Sequence, residues 1–152
     1  MKQKAIIISI NSYKLNIKEE KLISKLKPWG LILFKRNIKS LKQVTNLVKK
    51  IKKVTKNSKF PIIIDEEGGT VSRLSKIISH TITQKIFGDL YKLNKKFSLN
   101  IYKNYIKNLS KILREIGINI NTVPVLDVLT KNTNKIIGSR SFSDNPKIVS
   151  HL

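Results

Sequence analysis

Apolar positions along the chain change period several times, and each change marks a new element. Ala5 to Ile10 is a short, nearly continuous apolar run and predicts a first buried strand. Asn16 then precedes Glu19 by three residues, the spacing of a capping box, and Leu22, Ile23 and Leu26 supply one apolar face of a helix that Pro28 ends. Gly30 opens a second short strand, Leu31 to Phe34, which stops at Lys35-Arg36-Asn37. Ser40 and Gln43 repeat the capping spacing. Leu41, Val44, Leu47, Val48, Ile51 and Val54 follow at intervals of three and four, the clearest helical pattern in the chain. The opposite face carries Lys42, Lys49, Lys50 and Lys53 and is expected in solvent.

A polar turn, Asn57-Ser58-Lys59, leads to Ile62, Ile63 and Ile64, a β-branched run suited to a strand buried on both faces. That strand ends abruptly in Asp65-Glu66-Glu67-Gly68-Gly69. From Leu74 to about Gly88 the pattern is irregular. From about Ser98 a long helix is predicted, burying Tyr102, Tyr105, Ile106, Leu109, Ile112, Leu113 and Ile116, with Gly117 placed for a left-handed C-terminal cap. Aromatic residues at that spacing read as core, not as a base-stacking platform. A fourth strand, about Ile118 to Val123, runs into Pro124-Val125-Leu126-Asp127, and Thr130 to Asn145 is polar and loop-like.

The order β, α, β, α, β, loop, α, β predicts an α/β fold of right-handed βαβ units around a parallel sheet. Alternation alone does not separate a doubly wound sheet from a barrel. Polar groups follow strands two, three and four alike, which favours the barrel, whose ligands bind at the C-terminal ends of its strands.

Composition narrows the function classes. The 152 residues suit a single domain, 1–152. Cysteine is absent, and the two histidines, His80 and His151, are far apart, so no disulfide, thiolate site or histidine metal cluster is expected and a reducing compartment is. Lysine and arginine number 31 against 9 acids, a formal net charge of +22. The lysines are spread along the whole chain among Ile and Asn, which points to solvated helix faces and weak polyanion binding at low salt, with no specific nucleic-acid partner. No stretch approaches the roughly 20 apolar residues of a membrane span, and Ala5 to Ile10 is too short for a signal-peptide core. A soluble, cytoplasmic protein is expected.

Asp65, Glu66 and Glu67 invite a glycosidase reading, because paired carboxylates serve such reactions as acid and nucleophile. Neighbours on a strand point to opposite faces, so only Asp65 and Glu67 could share a side were the strand to continue. An equally open reading has one acid orienting a ligand or pairing with Arg73 while the others bridge the loop. Gly68-Gly69 lacks the spacing of a phosphate-binding fingerprint and reads as a tight turn or close backbone approach. Arg73 and Arg140 are two of only four arginines in a lysine-rich chain, positions where a planar fork of donors is useful.

Four blocks, GLILFKRNI (Gly30 to Ile38), PIIIDEEGGTVSRL (Pro61 to Leu74), GININTVPVLDV (Gly117 to Val128) and IIGSRSFSDNP (Ile136 to Pro146), together resemble family 3 glycoside hydrolases. The resemblance is to the bacterial β-N-acetylglucosaminidase (β-N-acetylhexosaminidase) type, which acts on muropeptides in peptidoglycan recycling. It implies the N-terminal half of a parallel (β/α)8 TIM-type barrel, strands one to four, and a truncated domain. It also implies that Asp65, Arg73 and Arg140 bind N-acetylglucosamine in a glycan, with no cofactor and no metal, and that Asp127 lies near the site. Glu66, Thr70 and Ser139 depart from the family's usual glutamine, arginine and aspartate. The histidine acid and the aspartate nucleophile of the family lie downstream of the matched blocks. No catalytic residue is therefore assigned, and the chain by itself is expected to be inactive. An open half-barrel would leave sheet edges exposed, so a non-catalytic, sugar-binding or self-associating half-barrel is the alternative.

Overall fold

A computed structural model describes residues 2–152. Their contacts divide into two compact units. The first comprises the chain up to Asp65, Arg73–Ser79 and Ile112–Asn121; the second comprises Glu66–Ser72, His80–Lys111 and Thr122–Leu152.

The first unit holds the sheet. Strands β1 (Lys4–Ile8), β2 (Pro28–Leu33), β3 (Ile62–Ile64) and β4 (Ile120–Asn121) lie in that order and are all parallel. Leu31, Ile32 and Leu33 stand opposite Ile62, Ile63 and Ile64. The isoleucine run is buried on both faces, as its composition requires. Helix α1 (Ile17–Leu26) starts with the anticipated capping box, in which Asn16 and Glu19 satisfy each other's backbone N–H groups. Helix α2 (Leu41–Thr55) buries Val44, Leu47, Val48 and Ile51 and leaves Lys42, Lys49, Lys50 and Lys53 exposed. Its cap is a variant of the expected box: Ser40 accepts from the Gln43 N–H, but Gln43 reaches back to the Lys39 N–H.

Three expectations change. The first strand is not buried: Ile6 and Ile7 are 41% and 51% exposed. It is the terminal strand in the sheet order and pairs with β2 alone, so one side of it meets no strand among the described residues. Pro28 does more than end α1, because β2 begins on it while Lys27 makes the cap in the left-handed region at φ 51°. The fourth strand shrinks to two residues because the Asn119 side chain replaces part of the ladder. Its Oδ1 accepts from the Ile62 N–H at 2.7 Å and its Nδ2 donates to the Phe60 carbonyl at 3.1 Å.

The second unit holds helix α3 (Gln84–Leu93), most of helix α4 (Lys95–Ile116) and helix α5 (Pro146–His151). Its core is aromatic. Phe87, Tyr102, Phe142 and Val149 are buried together, the Phe87 and Tyr102 rings lie 4.8 Å apart, and Tyr102 meets Phe142 edge-on at 5.3 Å. Sequence periodicity left α3 unread because Gly88, a weak helix former, interrupts it and Thr83 gives no side-chain cap. Tertiary contact explains the glycine: a Cβ there would lie 1.7 Å from the Phe142 carbonyl oxygen. The buried Ser98 hydroxyl, donating to the Phe87 carbonyl at 2.7 Å, ties α4 back to α3. Among the described residues no helix is long and apolar enough to cross a membrane.

Candidate functional site

The first unit brings three strand ends together. Beyond β2, a 3-10 turn at Lys35–Asn37 buries Asn37 completely. Its amide donates to the Ile10 and Ser12 carbonyls at 3.0 and 2.9 Å and its oxygen accepts from the Phe34 N–H at 2.8 Å, fixing the exits of β1 and β2. Every hydrogen-bonding position named there is met inside the fold, so the buried amide is stabilising. Beyond β3, Asp65 accepts from Arg73 Nη2 at 3.2 Å. Their side chains are 23% and 26% exposed, buried enough to be held and open enough to meet a ligand. The Arg73 guanidinium also lies over the Phe34 ring, 5.7 Å from its centre.

In the second unit the two remaining acids take different partners. Glu67 receives a two-pronged contact from Arg140, Nε to Oε2 at 2.7 Å and Nη2 to Oε1 at 2.9 Å, the geometry that suits guanidinium and carboxylate best. Glu66 has no exposed side-chain surface and bonds His80 Nδ1, whose other ring nitrogen faces the Tyr105 hydroxyl. Burial, with lesser contributions from the nearby Tyr102 and Glu66, raises the Tyr105 phenol well above the ordinary tyrosine range. Burial alone pushes Tyr102 up to about 12.

Gly68 and Gly69 are in the left-handed region, at φ 89° and 57°, and turn the chain so that the Glu67 N–H reaches the Val71 carbonyl. A side chain at Gly68 would strike the Ile82 carbonyl and the His80 ring. The glycine pair therefore serves a tight turn and close approach, as its spacing implied.

These positions decide the chemistry of the three acids. Each faces a basic side chain, and Glu66 is closed off from any ligand. A guanidinium paired with a carboxylate has its charge balanced, which suits hydroxyl and amide oxygens of a neutral ligand more than an anion. Asp127 is exposed and acts here through its backbone, its carbonyl accepting from the Ser141 hydroxyl at 2.5 Å in the loop that carries Arg140. A groove of about 570 Å³ bordered by Tyr13, Glu20, Gln43 and Lys50 holds none of the predicted residues. Among the described residues no three His, Asp or Glu side chains are placed to hold a metal ion.

Sequence reasoning allowed one acid of the run, without saying which, to pair with Arg73, and missed the other two pairs. His80 lies 14 residues from Glu66, and Arg140 lies 73 from Glu67. Neither separation is a periodic signal, and the only available clue was the scarcity of histidine and arginine.

Residues 2–152 match the protein family described as Glycosyl hydrolase family 3 N terminal domain. A beta-hexosaminidase of Thioalkalivibrio sulfidiphilus is 28% identical over 147 residues, covering 97% of this chain and 42% of that protein. Beta-hexosaminidase A of Pseudoalteromonas piscicida is 32% identical over 137 residues, covering 86% and 22%. Among solved structures, native NagZ from Neisseria gonorrhoeae superposes with a TM-score of 0.90 at 25% identity, over 98% of this chain and 43% of that one. The same protein in complex with N-trifluoroacetyl-D-glucosamine gives 0.87. The chain thus spans less than half the length of each of these relatives. It belongs to glycosyl hydrolase family 3, and its four parallel strands correspond to the N-terminal half of a (β/α)8 barrel.

Proposed function

With the chain placed in family 3, we propose that residues 1–152 are the substrate-holding part of a β-N-acetylhexosaminidase-type glycosidase, a single incomplete barrel domain. The observation that carries the reading is the Asp65–Arg73 pair at the end of β3. Asp65 accepts from sugar hydroxyls and Arg73 donates to them, with the charges of both already balanced. Arg140, oriented by Glu67, is a further sugar-binding guanidinium. The glycan is one ending in N-acetylglucosamine, and the reaction of the complete enzyme is retaining hydrolysis, with muropeptides of peptidoglycan recycling as substrates. Residues 1–152 alone are expected to bind and not to hydrolyse, a reading supported by the basic partner that each acid of the Asp65-Glu66-Glu67 run meets.

Calorimetry with N-acetylglucosamine tests the binding half of this reading. Asp65→Ala is expected to weaken binding by about 10- to 100-fold, the loss of a charge-assisted hydrogen bond. An aryl N-acetylglucosaminide tests the other half, with no turnover expected. Turnover that survives purification and disappears in Asp65→Ala would overturn it.

A second reading, self-association of the half-barrel, is favoured by the exposed Ile6 and Ile7 on the terminal strand β1. Light scattering decides it: a monodisperse monomer at all concentrations rules self-association out.

A further inference from the structure

The arginines of this chain differ in charge balance. Arg73 faces Asp65 and Arg140 faces Glu67. Arg36 meets no carboxylate within ion-pair distance among the described residues. Its Nε donates to the Ile10 carbonyl at 3.2 Å and its Nη2 to the Ser9 hydroxyl at 2.9 Å, both neutral acceptors. The guanidinium lies over an aromatic ring, its carbon 4.7 Å from the centre of Phe34, the ring that Arg73 also overlies at 5.7 Å. Ser9, Ile10, Phe34, Arg36, Asp65 and Arg73 belong to the first unit and follow the ends of β1, β2 and β3. Arg36 is exposed.

We propose that Arg36, seated on Phe34, forms an anion-binding subsite beside the Asp65–Arg73 pair, so that the saccharide held there carries a carboxylate or a phosphate. The proposal rests on the sugar-binding reading of that pair and adds to it the charge of the ligand. Two hydrogen bonds and the ring hold the guanidinium in place, so little side-chain freedom remains to be lost on binding. Both bonds go to neutral oxygens, so its charge is unspent. Its remaining N–H donors suit the two oxygens of a carboxylate or phosphate, which a sugar hydroxyl cannot match. If Arg36 is only a staple between the exits of β1 and β2, it has no ligand preference to confer.

Calorimetry on the full chain at fixed ionic strength separates these cases, using N-acetylglucosamine, N-acetylmuramic acid for a carboxylate and N-acetylglucosamine 6-phosphate for a phosphate. At least one anionic sugar is expected to bind about tenfold tighter than the neutral one. Arg36→Gln is expected to bring that ratio near one, and Arg36→Lys to retain part of it. With a net charge of +22, a general attraction for anions would survive the loss of one cation. A ratio unchanged in Arg36→Gln, or a ratio of one in the unaltered protein, overturns the subsite; the preferred probe identifies the anion. If no sugar binds at all, the reading of Asp65 and Arg73 has failed instead. Nitrogen-15 spectra of the arginine side chains, titrated with inorganic phosphate, then decide the subsite: a saturable shift of the Arg36 Nε signal supports it, and none overturns it.

Discussion

The two compact units bury their interiors with different materials. In the first, Leu31, Leu33, Val44, Ile51, Ile62 and Ile64 have no exposed surface and together make an aliphatic core around β2 and β3. In the second, the core is built from rings, and Glu66, His80, Gln84, Ser98, Ser141 and Ser143 are buried with it. Methyl and methylene groups pack in many arrangements of equal volume. A buried carboxylate, imidazole or hydroxyl needs one particular neighbour, and the absence of that neighbour costs more than a small misfit. Apart from the buried Asn37, the aliphatic unit should therefore tolerate conservative change, while the second depends on several specific pairs.

The largest effect expected from this contrast is at Phe142. Truncation to alanine removes the ring that meets Tyr102 edge-on and should lower unfolding stability by about 3–5 kcal/mol, whereas Ile62→Val in the first unit should cost about 0.5–1.5 kcal/mol. Urea denaturation of the two variants tests the ordering, and similar losses would remove the distinction. Next comes the buried Glu66–His80 pair. His80→Ala should cost about 3 kcal/mol by taking a partner from a carboxylate with no exposed surface. Adding Glu66→Gln should recover part of that loss, and a double-mutant cycle measures how much; simple additivity would show the pair to be uncoupled.

The smallest effect is alkaline. Tyr102 has its folded pKa pushed up to about 12 from 10.0 by burial, so the folded state favours the neutral phenol. That contribution is complete below pH 10 and is lost as pH rises from about 10 through 12, because the unfolded tyrosine ionises first. Melting temperatures followed across that window should fall less in Tyr102→Phe than in the unaltered chain. An identical fall would assign the alkaline loss to other groups.

The same division governs what could be read in advance. The period of α2, the Asn16–Glu19 capping box, the isoleucine run of β3 and the cap at Gly117 were all legible, because each depends on neighbours within a few residues. Helix α3 was not, since Gly88 is explained only by the approach of the Phe142 backbone. The exposure of Ile6 and Ile7 was likewise hidden, because an apolar run does not reveal whether its strand has one neighbour or two.

By itself, then, the sequence determined a parallel α/β frame, the family, and the run of three acids at the end of β3. Tertiary structure alone decided the partner of each acid: Asp65 with Arg73, Glu66 with His80, Glu67 with Arg140. Periodicity reports which face of an element leaves water. The charge a side chain meets there depends on chain that returns from 8, 14 or 73 residues away.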